Sequence, residues 1–415
     1  MVSGMFARPF LWLLMLLAPA AARAAEPALP AGFSAVGELR IAGADGEPSW
    51  TDGGFGKLRA GGGADGDFRL KPRLTEGELI WQPRFGWALS GTIVAGAQRG
   101  QEHAVDLIEA FATWKPMPLG DTRLSVRAGL MWPPVSLEHQ GAAWTVADMI
   151  TPSAANSWIG EEVKVMGAEA TVSRGTVSAT AAIFGFNDTA GTLLAFRGWA
   201  LHDLKATAFG HQRLPPLNAF LAGGVQAPAT LPSVELDDRP GFYGKLAWRP
   251  APAVALEAFY YDNRANPEAV SPALQWGWRT RFVDLGVRVQ LAEHTRLLAQ
   301  AMTGSTRMGY DEGYGIWVHT RFRAAYARLS QDAGRTTLSG RIDLFGTTDR
   351  GSETGPQESE EGWAATGAAA YRLSPHVQLL VEALRVDSRR GARLRLGLDP
   401  RQVQNQFQAA LRLSI

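Results

Sequence analysis

The chain has no cysteine among its 415 residues, so neither a disulfide framework nor a cysteine-based metal site is available to it. Neither sign of charge is in excess, since the chain has 41 Lys and Arg and 40 Asp and Glu, and it carries no basic tail. This balance argues against nucleic-acid binding. His-Glu-x-x-His and nucleotide-loop motifs are also missing, and we expect no cofactor and no metal. Beyond the N-terminus no run of about 18 apolar residues occurs, which excludes helical membrane spans.

The N-terminus has the three parts of a secretory signal. Arg8 precedes an apolar run, FLWLLMLL, and Ala22-Arg23-Ala24 places small residues at the two positions that a signal peptidase reads. The run is shorter than the ~20 residues that a transmembrane helix needs. We therefore expect residues 1–24 to be a cleaved signal peptide and residues 25–415 to be exported.

The C-terminal residues alternate strictly between apolar and polar. Phe407, Leu411 and Leu413 share one face with Ala409 and Ile415, whereas the opposite face carries Gln406, Gln408, Arg412 and Ser414. A strand with one apolar and one polar face fits lipid outside and water inside a transmembrane barrel. A strand of a soluble sandwich would alternate in the same way, so the other segments of the chain are needed to distinguish a membrane barrel from a sandwich.

About sixteen segments of this kind precede and include the C-terminus, at 32–42, 68–81, 85–97, 104–114, 122–130, 162–172, 176–186, 241–248, 253–262, 278–291, 295–303, 315–329, 336–347, 363–373, 377–386 and 402–415. Short connections rich in Pro, Gly and Asp alternate with long ones. This alternation is typical of a bacterial outer-membrane barrel with periplasmic turns and extracellular loops. The sequence predicts an all-β fold, a transmembrane antiparallel β-barrel of about 16 strands, or 18 if the segment 187–240 contains two more.

The strand phases assign side chains to the lumen. Where one face is clearly apolar, the other face points inward, and on this basis the predicted pore-lining residues are Arg127, Lys245, Arg288, Arg296, Arg321, Arg323, Arg341, Asp343 and Arg412. Basic residues outnumber acidic ones in this set. Fixed positive charge along a water-filled path favours anions, so we expect a mild anion preference, with weakly selective wall charges as the alternative.

The third long connection, residues 131–161, is unusually rich in tryptophan and apolar residues for a loop in water: MWPPVSLEHQGAAWTVADMITPSAANSWIGE. Folding into the lumen would bury these residues and narrow the pore, which makes the segment a predicted constriction loop. Glu138, His139 and Asp148 would then lie at the narrowest point. The alternative is a loop that packs against its neighbours at the extracellular rim.

Two regions resemble bacterial porins, and among them the phosphate-selective porin family. These are the C-terminal stretch, with LSGRIDLFGTTD, GWAATGAAAYRLSPHVQLLVEALRVD and FQAALRLSI, and the strand RLSVRAGLMWPPVSLEH that leads into the third loop. The resemblance implies a sixteen-stranded, trimeric diffusion channel in the outer membrane. Arg127, Arg321, Arg323 and Arg341 would match the arginine ladder of that family. The chain departs from the family in having only six lysines, too few for its lysine cluster, and in ending at Ile415 instead of an aromatic residue.

The predicted function is therefore passive diffusion of small hydrophilic or anionic solutes, and not catalysis. The expected partners are outer-membrane lipid and lipopolysaccharide, the barrel assembly machinery and two further copies of the chain in a homotrimer. One alternative is an outer-membrane barrel enzyme of protease or lipase type, for which His202, Asp203 and His211 could supply a base and its orienting group. A structural or adhesive barrel is the other alternative.

Overall fold

The computed structural model describes residues 32–63, 65–139 and 143–415, with the backbone alone at 71–75. The predicted signal peptide at 1–24 lies outside the described residues and stays a prediction. In the described part of the chain, no helix is long and apolar enough to cross a bilayer. Strands account for most of the regular structure.

Sixteen long strands make up the architecture: β1 (Phe33–Ala44), β2 (Arg69–Trp81), β3 (Leu89–Gln98), β4 (Asp106–Trp114), β5 (Thr122–Met131), β6 (Val165–Arg174), β7 (Val177–Gly185), β8 (Gly241–Ala251), β9 (Val254–Asp262), β10 (Arg281–Ala292), β11 (Thr295–Asp311), β12 (Ile316–Ala333), β13 (Thr336–Asp349), β14 (Glu360–Ser374), β15 (Val377–Arg390) and β16 (Arg401–Ser414). Each of the sixteen predicted segments corresponds to one of them. Within the described ranges, three α-helices lie in the connections: α1 (Ala154–Glu162), α2 (Thr192–Phe196) and α3 (Ala219–Ala222).

The strands close into a barrel. Consecutive strands pair antiparallel, and β1 pairs with β16 in the register Val36 to Ser414 through Ala44 to Gln406, which removes the free sheet edges. The segment 187–240 adds no barrel strand, since its two-residue strands Gln212–Arg213 and Ala229–Thr230 pair only with each other. The predicted sixteen-stranded barrel is confirmed, and the eighteen-stranded variant is wrong.

The two ends of the barrel differ as the alternating connections predict. At one end, tight turns such as Gly175-Thr176 and Gly334-Arg335 join the strands, and we call this the short-turn end. At the other end, the loop end, lie the long connections, among them the first loop (45–68), the third loop (132–164) and the fourth loop (186–240).

The outer face of the barrel carries an apolar band. Leu338, Ile342 and Leu344 of β13 are half exposed, as are Leu285 of β10 and Phe407 of β16, while the residues between them are buried inside. Aromatic side chains lie on this face towards the short-turn end, namely Trp81, Phe85, Trp87, Trp114, Trp248 and Tyr371. An apolar outer band bounded by aromatic residues is how a β-barrel spans a membrane.

A charged residue in the middle of this band should destabilise the barrel. Ile342 is 50% exposed on the outer face, opposite Ala327 and Ala365 on the neighbouring strands. We expect Ile342→Arg to lower the free energy of unfolding by about 2–4 kcal/mol, because arginine at the bilayer midplane loses its hydration. Urea titration in lipid vesicles measures this. Thr348→Arg, on the same face above the band, is the control and should cost at most about 1 kcal/mol; equal costs would place the band elsewhere.

The first, third and fourth loops fold into the lumen and fill much of its loop end. Helix α1 of the third loop is buried over its whole length, and Trp158 packs against Trp199 of the fourth loop and against the wall residues Phe282 and Phe322. These contacts belong to one cluster of buried apolar residues that includes Leu58 of the first loop. The predicted fold of the third loop into the lumen is therefore confirmed, and two further loops accompany it.

Strand β12 corrects the predicted lumen wall. Its inward side chains are Phe322, Ala324, Tyr326 and Arg328, all at most 5% exposed, so Arg321 and Arg323 lie on the outer face. The prediction that Arg321 and Arg323 line the pore is wrong in this respect. The reason is that the inner face near the loop end contacts packed loops instead of water, and is apolar there. Outside the membrane band, polarity no longer distinguishes the two faces of a strand.

Candidate functional site

Arg341 is one of the residues that hold the third loop against the lumen wall. From β13 its guanidinium pairs with Asp343 at 2.7 Å and with Glu138 of the loop at 3.3 Å. It also donates to the carbonyl oxygens of Thr151 and Pro152 at 2.7 and 3.0 Å. Arg341 is 1% exposed. Instead of pointing freely into a pore, this predicted pore-lining residue fixes the loop.

A second set of contacts attaches the middle of the loop to β15 and β16. Glu382 accepts hydrogen bonds from the backbone N–H groups of Ile150 and Thr151 at 3.0 and 3.1 Å. Arg412 donates to the carbonyl oxygen of Val146 at 2.7 Å and pairs with Glu38 of β1 at 2.9 Å. These contacts attach the loop to β13, β15 and β16.

Gln300 of β11 fixes the start of the loop. Its side-chain oxygen accepts from the backbone N–H of Leu137 at 3.0 Å, and its amide nitrogen donates to the carbonyl oxygen of Val135 at 2.9 Å. Asn156 of α1 donates to both Gln300 and Glu138, at 3.0 and 2.7 Å. Because these buried polar groups hydrogen-bond to one another, they favour a single position for the loop.

Glu138 and His139, two of the predicted constriction residues, lie inside this network. Burial raises the pKa of Glu138, but the charges of Arg341 and Arg328 outweigh it and hold this pKa below its usual value. His139 stacks on Trp144 at 4.3 Å between ring centroids, and its Nδ1 lies 2.8 Å from Ser136 Oγ. Burial lowers the pKa of His139 to about 3. Glu138 is therefore charged and His139 neutral at pH 7.

Acidification should loosen the third loop. A histidine whose pKa falls from 6.5 to about 3 on folding contributes stability that is complete above pH 6.5 and is lost as the pH falls through 3. We expect the channel current to become noisier over this pH range. The His139→Phe variant keeps the stacking on Trp144 and lacks the titrating imidazole, so its current noise should rise less over this pH range. Identical pH profiles for the two proteins would contradict this role.

A polar chamber of 320 Å³ lies between the third loop and the wall at the short-turn end. Arg296 pairs with Asp148 of the loop at 3.1 Å and with Asp332 at 3.3 Å. Arg328, which is 5% exposed, lies 3.8 Å from Asp148 and 4.0 Å from Glu138. Its Nε and Nη1 atoms have no hydrogen-bond partner among the described residues. The chamber is thus walled by arginines that share a small number of carboxylates.

Arg288 of β10 adds a positive charge without a compensating carboxylate. Its guanidinium donates to the carbonyl oxygen of Leu137 at 3.3 Å and lines the chamber. Within 32–63, 65–139 and 143–415, no Asp or Glu oxygen lies within 4 Å of its nitrogen atoms. Counter-ions in the chamber are therefore expected to be anions.

The remaining predicted lumen charges form ion pairs on the wall. Arg127 pairs with Glu169 at 2.8 Å, and Lys245 pairs with Glu257 at 2.5 Å while donating to the carbonyl oxygen of Pro134. All four side chains point inward. These pairs neutralise much of the positive charge that the sequence predicted for the wall.

The structure places most of the predicted residues inside the barrel. Arg127, Lys245, Arg288, Arg296, Arg341, Asp343 and Arg412 lie on the inner face, and Glu138, His139 and Asp148 lie on the inward loop. The sequence reasoning missed Arg328, Gln300 as a loop contact, and Glu382. Arg328 could have been found from Ala325, Ala327 and Leu329, which mark the outer face in the membrane band of β12.

Three carboxylates lie together in the fourth loop. Ligand atoms of Asp188, Glu235 and Asp237 are within 4.8 Å of one another and could hold a cation. Burial raises the pKa of Asp188 to about 7, and the charges of Glu235 and Asp237 add to this.

The residues of the enzyme alternative are not brought together. His202 is buried against Glu161 at 2.9 Å, whereas Asp203 pairs with Arg59 at 2.7 Å and also contacts Arg40. His211 pairs with Glu102 at the surface. No base and orienting group share an accessible site in this set.

Among the comparisons with known proteins, the one with solved structures gives matches. No protein-family model matches the sequence, and no curated protein does. The outer membrane channel DcaP of Acinetobacter baumannii matches with a TM-score of 0.53 and 10% identity, over 93% of this chain and 99% of that chain. The anion-selective porin from Comamonas acidovorans matches with a TM-score of 0.52 and 9% identity, over 92% and 98%. This chain has the fold of bacterial outer-membrane porins.

A further porin-fold neighbour is OmpT, an outer membrane protein of Vibrio cholerae, in its trimer form. It matches with a TM-score of 0.51 and 8% identity, over 92% of this chain and 99% of that chain. At such low identities the likeness establishes the fold alone. It gives no information on the lumen residues described above. What those residues do has to be argued from their own geometry.

Proposed function

We propose that the chain is an outer-membrane porin that allows passive diffusion of small hydrophilic solutes, with a mild preference for anions. The observation that carries this proposal is the third loop, folded into a sixteen-stranded barrel and attached to its wall at β8, at β10 to β13, and at β15 and β16. A barrel of this size encloses water unless its lumen is filled, and an inward loop narrows the path that solutes take through it.

The charges support the preference for anions. Arg288 lacks a carboxylate partner in the described chain, and Arg296 and Arg328 share Asp148. The ion pairs Arg127–Glu169 and Lys245–Glu257 keep the excess of positive charge small, which favours weak selectivity over a specific phosphate site. We place the chamber at the periplasmic mouth, because the short-turn end of such barrels faces the periplasm.

Export through the signal peptide at 1–24, assembly by the barrel assembly machinery and a homotrimeric state belong to the same proposal. The trimer form of the Vibrio cholerae neighbour supports the last of these. For the enzyme alternative the structure offers no supporting observation within the residues it describes, since His202, Asp203 and His211 have separate partners.

Liposome swelling tests the proposal. Vesicles that contain the purified protein are diluted into isotonic solutions of a small neutral sugar, a small carboxylate and an amine of similar size. We expect swelling in all three, fastest with the carboxylate. Absence of swelling with every solute would refute the channel, and faster swelling with the amine would refute the anion preference alone.

A further inference from the structure

Arg328 is buried in the lumen with part of its hydrogen-bonding capacity unused. It lies on the inner face of β12, where it is 5% exposed. Its Nε and Nη1 atoms have no hydrogen-bond partner among the described residues, and the carboxylates of Asp148 and Glu138 lie 3.8 and 4.0 Å from its nitrogen atoms. Those distances allow a charge interaction but no hydrogen bond. A buried guanidinium in this state is unfavourable unless a further acceptor binds it.

Asp148 of the third loop fills the space between Arg296 and Arg328 only in part. In the described chain a single hydrogen bond joins Asp148 to Arg296, from Nη2 to Oδ2 at 3.1 Å, and the same oxygen lies 3.8 Å from Arg328. An arginine–carboxylate pair is strongest when two parallel N–H groups bind the two oxygens. Asp148 forms no such pair with either arginine, so a carboxylate that is not attached to the loop can bind there more completely.

The third loop does not need the Asp148 side chain to keep its position. The carbonyl oxygen of Val146 accepts from Arg412 at 2.7 Å, and the N–H of Ile150 donates to Glu382 at 3.0 Å. These contacts attach the backbone on both sides of Asp148 to β16 and β15. Its side chain can therefore rotate away from the arginines while the loop stays in place.

The chamber around these side chains suits a small organic anion. Its volume is 320 Å³, and its lining holds two carboxylates, those of Glu138 and Asp148, and four arginines, Arg249, Arg288, Arg296 and Arg328. The lining also contains Leu298 of β11, which lies in register between Arg288 of β10 and Arg328 of β12. Two guanidinium groups thus flank an aliphatic side chain on the wall of the chamber.

We propose that the chamber binds the carboxylate of a short aliphatic acid, which takes the place of Asp148 between Arg296 and Arg328. The two oxygens of the solute accept parallel N–H bonds from Arg328, its hydrocarbon part lies on Leu298, and Asp148 turns towards solvent. Asp148 is thus an internal competitor that occupies the arginines until the solute arrives and lowers the affinity for it. The inference deepens the proposed function and rests on it for the route by which the solute reaches and leaves the chamber.

Equilibrium binding to the purified protein in a neutral detergent tests the site without any need for conduction. Ligand-observed NMR would measure the dissociation constants of butyrate, of inorganic phosphate and of butyramide, the uncharged analogue. We expect saturable binding of butyrate and no binding of butyramide, which lacks the charge. Phosphate should bind at least about threefold more weakly than butyrate, because it has no hydrocarbon part to contact Leu298.

Three variants test the exchange with Asp148. Asp148→Asn removes the competitor and should strengthen butyrate binding about tenfold. Asp332→Asn is the matched control, because Asp332 pairs with Arg296 at 3.3 Å from outside the lining of the chamber. Its effect should be less than about threefold, as expected for a half-exposed ion pair. Arg328→Lys keeps the charge but lacks two parallel donors, and should weaken butyrate binding about tenfold.

Equal gains in affinity for Asp148→Asn and Asp332→Asn would overturn the role of Asp148 as a competitor, and unchanged affinity in Arg328→Lys would overturn the role of Arg328. Binding of phosphate or butyramide as tight as that of butyrate, a comparison that needs no variant, would overturn the carboxylate site. Saturable butyrate binding by a protein that gives no current steps would refute the channel and support this site. Current steps without saturable butyrate binding would refute the site and support the channel.

Discussion

Replacing Arg341 with glutamine is expected to release the third loop from the wall and to raise the single-channel conductance severalfold, with added current noise. Arg341 contacts Asp343, Glu138 and two loop carbonyl oxygens while fully buried. Removing one member of a buried ion pair costs about 3–5 kcal/mol, because the remaining carboxylates stay buried without their partner. This cost should displace the loop and leave the barrel intact, because the backbone hydrogen bonds between β12, β13 and β14 do not involve this side chain.

Planar-bilayer recordings of Arg341→Gln measure this effect. Arg341→Lys serves as a graded variant, because it keeps the charge but cannot contact two carboxylates and two carbonyl oxygens at once. Arg335→Gln in the turn between β12 and β13 is the control and should conduct like the wild type. If Arg341→Gln shows the conductance and noise of the wild type, the loop is not held in place by this residue.

Reversing the charge at position 288 should reverse the ion preference. Arg288 lines the chamber and lacks a carboxylate partner within the described residues, so its charge acts directly on ions there. We expect Arg288→Glu to shift the reversal potential in a KCl gradient from the chloride side to the potassium side. Arg288→Gln should give about half of this shift, since it changes the local charge by one unit instead of two.

The control for this experiment is Arg335→Glu, which makes the same charge change outside the lumen. A shift of equal size in the control would mean that the overall charge of the protein is responsible. An unchanged reversal potential in Arg288→Glu would show that ions do not pass this residue.

The barrel could be predicted from the sequence because its strands face lipid on one side and polar groups on the other. This produces the period of two that marks all sixteen strands, and it also gave the inward phase of Arg127, Arg288 and Arg341. The same rule failed in β12, which extends beyond the apolar band. There the inner face contacts packed loops and the outer face contacts headgroups and water, so Phe322 lies inside and Arg323 outside.

The arrangement inside the lumen was less predictable. The tryptophans of the third loop indicated that it folds inward, but its attachment depends on contacts between residues far apart in the chain, such as Ile150 with Glu382 and Val146 with Arg412. The pairing of Lys245 with Glu257 likewise makes the excess of positive charge in the lumen smaller than a count of the inward basic residues suggests. Such pairings follow from strand register and loop position, which the local sequence pattern does not specify.

We expect this partly filled barrel to conduct ions, and to do so past Arg288, which has no carboxylate partner among the described residues. The most direct test is single-channel recording of the wild-type protein in a planar bilayer with a KCl gradient. We predict discrete current steps and a reversal potential of the sign set by chloride, at a modest ratio of permeabilities. A bilayer without current steps, or a reversal potential of the sign set by potassium, would contradict the account.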